Sequence, residues 1–583
     1  MLKNYLKVAF RNLWKNKGFS GINIAGLAIG MASAILILLW MQNEISYDDF
    51  HEKRDRIYEV WNRATFSGAL HCWNTTPKVL AAAMQRDLPE VEHSVRVDWA
   101  NDRLFSVGDK RLLIRGSAVD SIFLQVFSFP LLQGDPKTVL NDPHSIVVTQ
   151  SLAKSLFGNE DPMGKVIRID NKDNYQVTGV LKDLPNNTRF DFKYLVPWTF
   201  VRRQGNDDPW WGNNSTRTYV LLKENATMAS INAKMLGYKL RYDSSEKHWE
   251  MFLYPMSRWR LHSRFEGSAE TGGRITFVRL FGIVAGFILL IACINFMNLS
   301  TARSEKRAKE VGIRKVVGAP RGKLIGQFIG ESVLLSFLAA LLAIGIVLLS
   351  LPGFNQLTQK HLFIPFGNVW FWVSAVVFIL FTGLLAGSYP AFFLSSFQPV
   401  KVLKGTFRAA NALVTPRKVL VVLQFTFAIT LIICTIIVKQ QIDHARERES
   451  GYDQGNLIYH FLTADLEKNY DLVRQELLRE GVAVSVVKTG SPITDNYSDT
   501  WGYTWQGKDP EDKTDFLQTC ADRAMTTTTG LQLIKGRDFD PENYPTDSAG
   551  IILNESAVKA MHFKDPIGQG IMDDTMHFHV IGV

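Results

Sequence analysis

Long runs of apolar residues are the first pattern along this 583-residue chain. Hydrophobic residues make up 46% of it, which a large soluble protein could also have, so their distribution decides the class. Five runs reach about 20 residues, the length that an α-helix needs to cross a bilayer core of roughly 30 Å. We therefore predict an α-helical polytopic membrane protein, with spans near residues 21–41, 280–299, 329–351, 370–390 and 419–438.

An internal repeat relates the two long stretches outside these runs. Residues 146–180 recur as residues 551–583, with an offset that changes only from 405 to 403. Each copy predicts a strand, a helix, an Asp-Pro-x-Gly turn and two further strands. We therefore predict two mixed α/β domains, at 42–274 and 439–583, related by tandem duplication.

The two halves of the chain also begin alike, with a basic segment and one span before the α/β domain. In the first half, the repeated segment is followed by about 100 more domain residues and three spans. We expect the second half to continue in the same way beyond residue 583. A complete protein would then have roughly 800 residues and eight spans.

Positive charge is concentrated beside the spans. Segments 1–18, 303–323 and 401–418 hold 18 Lys and Arg residues against two Glu residues, a net charge of +16, whereas the whole chain carries +9. Short basic loops stay on the cytoplasmic side of a membrane, so we place these segments and the N-terminus in the cytoplasm of a bacterial cell. Both α/β domains then lie outside the inner membrane. Charge placed in this way argues against a nucleic-acid partner.

The first basic segment is also amphipathic. Its apolar side chains share one face of a predicted helix, and its cations share the other. This pattern predicts a helix over residues 1–20 that lies in the membrane interface, although an ordinary basic flank would give the same topology. The residues are Leu2, Leu6, Ala9, Phe10 and Leu13 on the apolar face, and Lys3, Lys7, Arg11 and Lys15 on the other.

Glycine pairs mark predicted contacts between spans. Gly26 and Gly30 lie four residues apart in the first span, and Gly282 and Gly286 have the same spacing in the second. Small residues at this spacing let two helix backbones approach closely in a membrane. We predict that all four glycines pack against neighbouring helices. Because apolar residues continue to Met41, we interpret the first span as a retained anchor rather than a cleaved signal peptide.

The loop between the second and third spans predicts a short helix and a turn at 303–323. Charged residues at helical spacing lead into Gly318-Ala319-Pro320, and the next apolar run follows. A compact turn between two spans is a place where a cytoplasmic partner can grip both helices. The alternative is a solvated basic loop that serves only topology.

The loop contains a pattern formed by Arg307, Glu310, Gly312, Ile313, Arg314, Lys315, Gly318 and Ala319. This pattern resembles the coupling-helix signature of the FtsX-like, MacB-type permeases of ABC transporters. The sequence at 387–405, GSYPAFFLSSFQPVKVLKG, is similar to the segment that ends the last span of a half in that family. The one-plus-three arrangement of spans around a large domain also matches. Under this resemblance the coupling role would fall on Arg303, Arg307, Glu310, Gly312, Arg314, Lys315, Gly318 and Ala319.

The resemblance implies a type VII ABC architecture, with an FtsX-like permease domain at 280–405 and MacB-like periplasmic core domains at 42–274 and 439–583. A separate cytoplasmic ATPase would drive motion that the coupling helix and spans transmit to the outer domains, a mechanotransmission that exports amphiphilic cargo. Antimicrobial peptides, drugs and lipoproteins are the cargo classes that the family suggests. A periplasmic adaptor or outer-membrane partner is left open. The rival reading is an FtsX-like regulatory protein that senses or activates an outer partner without transport.

The chain itself offers no pattern for catalysis or for a cofactor. Gly158 and Gly164-Lys165 superficially resemble a phosphate loop, but five residues separate the glycines and Val166 stands where magnesium needs Ser or Thr. The nucleophile-elbow, HExxH and CxxC patterns do not occur in the sequence. We therefore predict no catalytic, cofactor-binding or metal-binding residue, and assign ATP hydrolysis to a partner subunit.

Overall fold

Five long helices contain the five predicted spans. The computed structural model describes residues 17–243, 249–302, 311–396, 416–448, 450–573 and 575–583. Each helix is long and apolar enough to cross a membrane, so the chain is a multi-pass membrane protein. The helices are α1 Lys17–Ile45, α2 Arg274–Ala302, α3 Arg321–Thr358, α4 Val369–Ser395 and α5 Pro416–Glu447.

The chain divides into two compact units. The helical unit comprises residues 1–47 and 273–447, and the α/β unit comprises residues 48–272 and 448–583. Two separate stretches of chain therefore build each unit. We call residues 48–272 the first α/β region and residues 448–583 the second α/β region.

Small apolar residues form the core of the helical unit. Ala28 of α1 and Ala339 and Ala343 of α3 are fully buried in one cluster that also holds residues of α2 and α4. Such side chains let helix backbones approach closely, which is how helices associate in lipid. The helix α5 packs along α2, where the rings of Phe287 and Phe427 stack with centroids 4.6 Å apart.

The described residues of the first α/β region contain fifteen strands. Short helices at Leu80–Asp87, Phe123–Val126, Gln150–Phe157, Thr199–Arg203 and Met228–Met235 connect them. The strands are β1 Ile57–Phe66, β2 Ala69–Trp73, β3 Thr76–Pro77, β4 Val91–Val97, β5 Asn101–Val107, β6 Lys110–Val119, β7 Leu131–Gln133, β8 Ser145–Thr149, β9 Val166–Ile169, β10 Asp173–Leu181, β11 Tyr194–Pro197, β12 Asn214–Leu222, β13 Glu250–Pro255, β14 Arg264–Glu266 and β15 Ala269–Gly272.

Most of these strands belong to one mixed sheet, in the order β11-β8-β10-β9-β5-β6-β4-β12-β1-β13. The strand β11 also pairs with β6 in parallel, so six strands close into a ring. The remaining strands, from β4 to β13, extend from the ring as an open sheet. Alternate apolar side chains of the strands, such as the buried Phe105 and Tyr219, fill the hydrophobic clusters on the faces of the sheet, and Phe123 of a short helix packs into one of them.

Smaller sheets form the second α/β region. One pairs β16 with β18, and the other has the order β17-β20-β21-β19. Short helices lie at Ala464–Lys468, Tyr470–Arg479, Met525–Thr529 and Glu555–Ala560. The strands are β16 Ser498–Thr500, β17 Thr504–Trp505, β18 Phe516–Gln518, β19 Gly550–Ile552, β20 Gly570–Asp573 and β21 Met576–Gly582.

Two segments, 145–181 and 550–582, have the same chain path. Each segment has three strands. The first strand pairs in parallel with the third, and the second pairs with the third in antiparallel orientation. The turn hydrogen bonds also agree, because the amide of Gly164 donates to the carbonyl of Val177 and the amide of Gly568 donates to the carbonyl of Val580, both at 2.8 Å. We call these segments the first and second matched segments.

Candidate functional site

A short helix and a tight turn directly precede α3. Residues 311–316 are helical, and the chain then passes through Gly318, whose φ of 91° favours glycine. The amide of Gly318 donates to the carbonyl of Lys315 at 3.0 Å, and the amide of Ala319 donates to that of Arg314 at 2.9 Å. Pro320 then directly precedes α3. The local sequence therefore fixes a sharp turn between the two helices, and we call residues 311–323 the connecting turn.

Two cations of the connecting turn bind the helices α3 and α4 of the same chain. The guanidinium of Arg314 donates to Gln327 Oε1 in α3, and the side-chain amide of Gln327 donates to Glu331 Oε1 at 3.1 Å. Lys315 Nζ donates to the carbonyl of Ser395 at the end of α4 at 2.6 Å. A cation at this position stabilises the carbonyl end of a helix. The connecting turn is thereby fastened to both α3 and α4.

The apolar residues of the connecting turn divide into two groups. Val311 is buried against Leu324 and Phe328 of α3 and against α4. In contrast, the side chains of Ile313, Val316 and Val317 are exposed, and Val317 is 82% exposed. Two members of this group, Ile313 and Val317, line a shallow, open depression together with Arg314, Gly318, Ala319, Pro320 and Lys323. An open apolar concavity with cations at its rim is suited to receive an apolar side chain that carries acidic neighbours.

The predicted coupling residues are therefore placed in different ways. Gly312 is buried, Gly318 is exposed and Ala319 is partly exposed. Arg314 and Lys315 bind helices of the same chain, which the sequence pattern did not indicate. Arg303, Arg307 and Glu310 lie outside the described residues.

The predicted helix-packing glycines also differ from one another. A Cβ atom built on Gly30 would lie 2.5 Å from Ala292 Cβ, so α1 and α2 are in close contact there and the position requires glycine. Gly26 lies near the side chain of Asn295, and Gly282 near that of Met41. Around Gly286, in contrast, no atom of the described residues lies within 4 Å of the built Cβ, so this glycine faces open space.

A further glycine pair was missed in the sequence. Gly383 and Gly387 of α4 have the four-residue spacing, and built Cβ atoms would lie 2.8 Å from Val333 Cα and 2.7 Å from Ser332 Cβ of α3. These distances are shorter than normal carbon contacts, so the approach of α3 and α4 requires glycine at both positions. The spacing in the fourth apolar run was a signal that could have found them.

Two family descriptions match the chain. The MacB-like periplasmic core domain matches residues 20–238, which cover α1 and most of the first α/β region. The FtsX-like permease C-terminal domain matches residues 282–399, which cover α2, the connecting turn, α3 and α4.

Similar proteins carry related names. The chain is 26% identical over 264 residues to an uncharacterized ABC transporter permease, YknZ, of Bacillus subtilis, covering 44% of this chain and 61% of that protein. It is 24% identical over 426 residues to the pyoverdine export ATP-binding/permease protein PvdT of Pseudomonas syringae pv. tomato, covering 69% and 59%. The chain thus spans about three fifths of the length of these relatives.

Two solved structures are also similar. The periplasmic region of MacB from Actinobacillus actinomycetemcomitans matches with 17% identity and a TM-score of 0.26, covering 34% of this chain and 89% of that one. The extracellular domain of YknZ, a noncanonic ABC-type transporter from Gram-positive bacteria, matches with 14% identity and a TM-score of 0.25, covering 34% and 99%.

Proposed function

Because the chain belongs to the FtsX-like, MacB-type permease family of ABC transporters, we propose that it is the membrane subunit that a separate cytoplasmic ATPase drives. One observation carries the proposal. The connecting turn exposes Ile313, Val316 and Val317, while Arg314 and Lys315 fasten the same turn to two helices. Such a turn offers a partner an apolar contact surface that is hydrogen-bonded to two of the long helices.

Force applied to the connecting turn would reach α3 and α4 together. Lys315 holds the end of α4 and Arg314 holds the first turns of α3, so displacement of the turn displaces both helices. In this proposal Arg314 and Lys315 transmit motion, and Gly318 and Ala319 set the exit angle. The exposed apolar side chains make the ATPase contact, and the charges of Arg303, Arg307 and Glu310 add complementarity to the partner.

We further propose that residues 42–274 and 439–583 form two domains outside the inner membrane, with the N-terminus in the cytoplasm. The basic segments beside the spans support this orientation. The common strand pairing and turn hydrogen bonds of the two matched segments support an origin by tandem duplication. Closure of the ATPase would then move these domains on the outer side of the membrane.

The cargo we propose is an exported amphiphile, such as an antimicrobial peptide, a drug or a lipoprotein. The name of the Pseudomonas relative adds pyoverdine to these classes. Export driven on the outer side would not require a polar channel through the helical unit.

Affinity purification from the native membrane, followed by mass spectrometry and an ATPase assay, tests this proposal. We expect an ABC ATPase in stoichiometric amount, with activity that vanadate inhibits. Ile313→Asp and Val317→Asp should each reduce its recovery at least about tenfold, since a charge placed in an apolar contact costs more than about 1.4 kcal/mol.

Phe363→Asp is the matched control, because Phe363 is 68% exposed but lies in the turn that follows α3 at its other end. This variant should retain the ATPase. Recovery of a sensor kinase or a cell-wall hydrolase in place of an ATPase would favour the regulatory reading. Equal ATPase recovery in all three variants would remove the connecting turn as the docking contact.

A further inference from the structure

A buried carboxylate lies at the end of α1 that follows the span. Glu44 is in the last turn of the helix and its side chain is 0% exposed. A carboxylate without water is costly to keep charged unless a cation and hydrogen bonds compensate it. Glu44 lies three residues beyond the predicted end of the first span, and the apolar pattern gave no indication of it.

The cation is Lys360, in the turn between α3 and α4. Its Nζ lies 2.6 Å from Glu44 Oε1 and donates to Asn43 Oδ1 at 2.6 Å. The Lys360 side chain is only 12% exposed, so little water screens the pair. Arg274, the first residue of α2, lies 3.6 Å from the same carboxylate oxygen but is 53% exposed, which makes it the weaker partner.

The turn that carries Lys360 is held in one conformation. Asn355 accepts a hydrogen bond from the amide of Leu362 at 2.9 Å and donates one to its carbonyl at 3.0 Å. Leu362 and Ile364 are buried, and Gln359 adopts a left-handed φ of 53° that ends α3. Lys360 is therefore positioned by a rigid turn rather than by a flexible loop.

Three elements of the helical unit thus meet at one carboxylate, namely the end of α1, the beginning of α2 and the α3–α4 turn. Along the chain, α1 and α2 are the helices that directly precede and follow the first α/β region. The other side of the pair belongs to α3 and α4, the two helices to which the connecting turn is fastened. The ion pair therefore joins the turn between α3 and α4 to the end of α1, the helix that precedes the first α/β region along the chain.

We propose that Glu44 and Lys360 form a latch that makes α1 move together with the α3–α4 turn. The proposal rests on the proposed function, because the latch would pass motion of α3 and α4 to the helix that continues into the first α/β region. Both are positioning residues. The latch stays closed through the transport cycle, so the distance between α1 and α3 near this end should not change.

Spin-label distance measurements on the full chain in lipid nanodiscs test the latch. The native cysteines are replaced, and labels are placed at the exposed Leu38 of α1 and Leu357 of α3. We expect one narrow distance distribution, unchanged when the bound ATPase is trapped with ATP and vanadate. Lys360→Gln and Glu44→Gln should broaden it, whereas Lys360→Arg and the swap Glu44→Lys with Lys360→Glu should restore it.

Arg274→Gln is the matched control and should leave the distribution narrow, because this partner is largely exposed. The variants should retain ATPase binding, since the connecting turn is intact, but lose ATP-dependent movement of the α/β region. A distribution that shifts in the wild type on vanadate trapping, or that stays narrow in Lys360→Gln, would overturn the latch. Absence of any ATPase from the wild-type preparation would instead count against the proposed function.

Discussion

The two matched segments share a chain path but differ in burial. In the first, Ile146, Val147 and Val148 are all fully buried, because β8 lies between β10 and β11. In the second, Ile551 and Ile552 are only partly buried and Leu553 is 6% exposed, and among the described residues β19 pairs only with β21. Strand order and turn geometry therefore follow from the local sequence, whereas burial depends on the strands that neighbouring parts of the chain supply.

Each matched segment packs against a glycine that precedes it in the chain. Gly134 has a φ of 100° and Gly536 a φ of 77°, and each lies beside the last strand of its matched segment. A Cβ atom built on Gly134 would lie 2.9 Å from the carbonyl oxygen of Thr178, and one on Gly536 would lie 2.1 Å from that of Ile581. The requirement for glycine is thus the same in both parts of the chain, whereas the burial of the first strand differs.

The largest expected effect comes from a charge placed in the first strand of each segment. Val147→Asp should destabilise the first α/β region by about 4 kcal/mol, because an unpaired carboxylate would be fully buried. Ile552→Asp should cost about 1 kcal/mol, since water reaches that side chain. Segment-resolved hydrogen exchange measures both, and equal losses of protection would contradict the comparison.

Glycine replacement should affect the two segments alike. Gly134→Ala and Gly536→Ala should each cost about 3 kcal/mol, from a positive φ together with a clash against a carbonyl oxygen. Gly158→Ala is the control, because its φ is 69° but no atom of the described residues lies within 4 Å of the built Cβ. At a φ of 69° and a ψ of −123°, backbone strain alone should cost about 2 kcal/mol there, less than strain and clash together. Urea unfolding followed by peptide-level hydrogen exchange measures these losses. A neutral Gly536→Ala would show that the backbone around Gly536 does not have the conformation described.

A fall in pH should change the stability of the two α/β regions in opposite directions. Burial lowers the pKa of His51, in the first region, to about 3, so its stabilising contribution is present above pH 6.5 and is lost as the pH falls toward 3. Between pH 6.5 and 5 this loss should reach about 2 kcal/mol. Hydrogen exchange at several pH values should show it, and His51→Gln should remove the dependence.

In the second region, burial and the neighbouring Asp499 raise the pKa of Asp515 to about 6. Its contribution is complete below pH 3.8 and is lost as the pH rises through 6, which is the opposite sign. Asp515→Asn should flatten this slope in exchange measurements around residues 498–518. Parallel pH profiles in the two regions would contradict the assignment.

The smallest effect concerns the helix that follows the first strand. The side chain of Asn554 accepts a hydrogen bond from the amide of Ala557 at 2.8 Å, whereas Thr149, at the same position in the first segment, makes no such bond. There Asp183 accepts from the amide of Ser151 instead, at 2.9 Å. Asn554→Ala and Asp183→Ala should each cost about 1 kcal/mol and Thr149→Ala less, as unfolding midpoints would show.

The sequence predicted the features that depend on near neighbours. The five apolar runs located the five helices, because spanning length and hydropathy are local properties. The strand, helix and strand pair of each matched segment followed from turn residues and alternation. Pairing of β11 with both β8 and β6 could not be predicted, since these contacts join strands far apart in the chain.

The sequence also could not predict the directions in which the side chains of the candidate site point. The charges of Arg314 and Lys315 suggested a docking surface, but Lys315 binds Ser395, 80 residues away, and only the packing of α4 brings that carbonyl near. The glycine spacing that matched at Gly30 also occurs at Gly286, which faces open space. A spacing rule identifies small residues, and the rotation of each helix decides which of them face a neighbour.

The ring of six strands in the first α/β region has a consequence for how the protein is made. Strands at an open edge present unpaired amides and carbonyls that another chain can pair with during synthesis and insertion. Because β11 hydrogen-bonds to both β8 and β6, this part of the sheet has no such edge along the ring. Open edges remain elsewhere in the sheet, including β13 at the end of the strand order, so erroneous strand exchange between newly made copies would be directed to those strands.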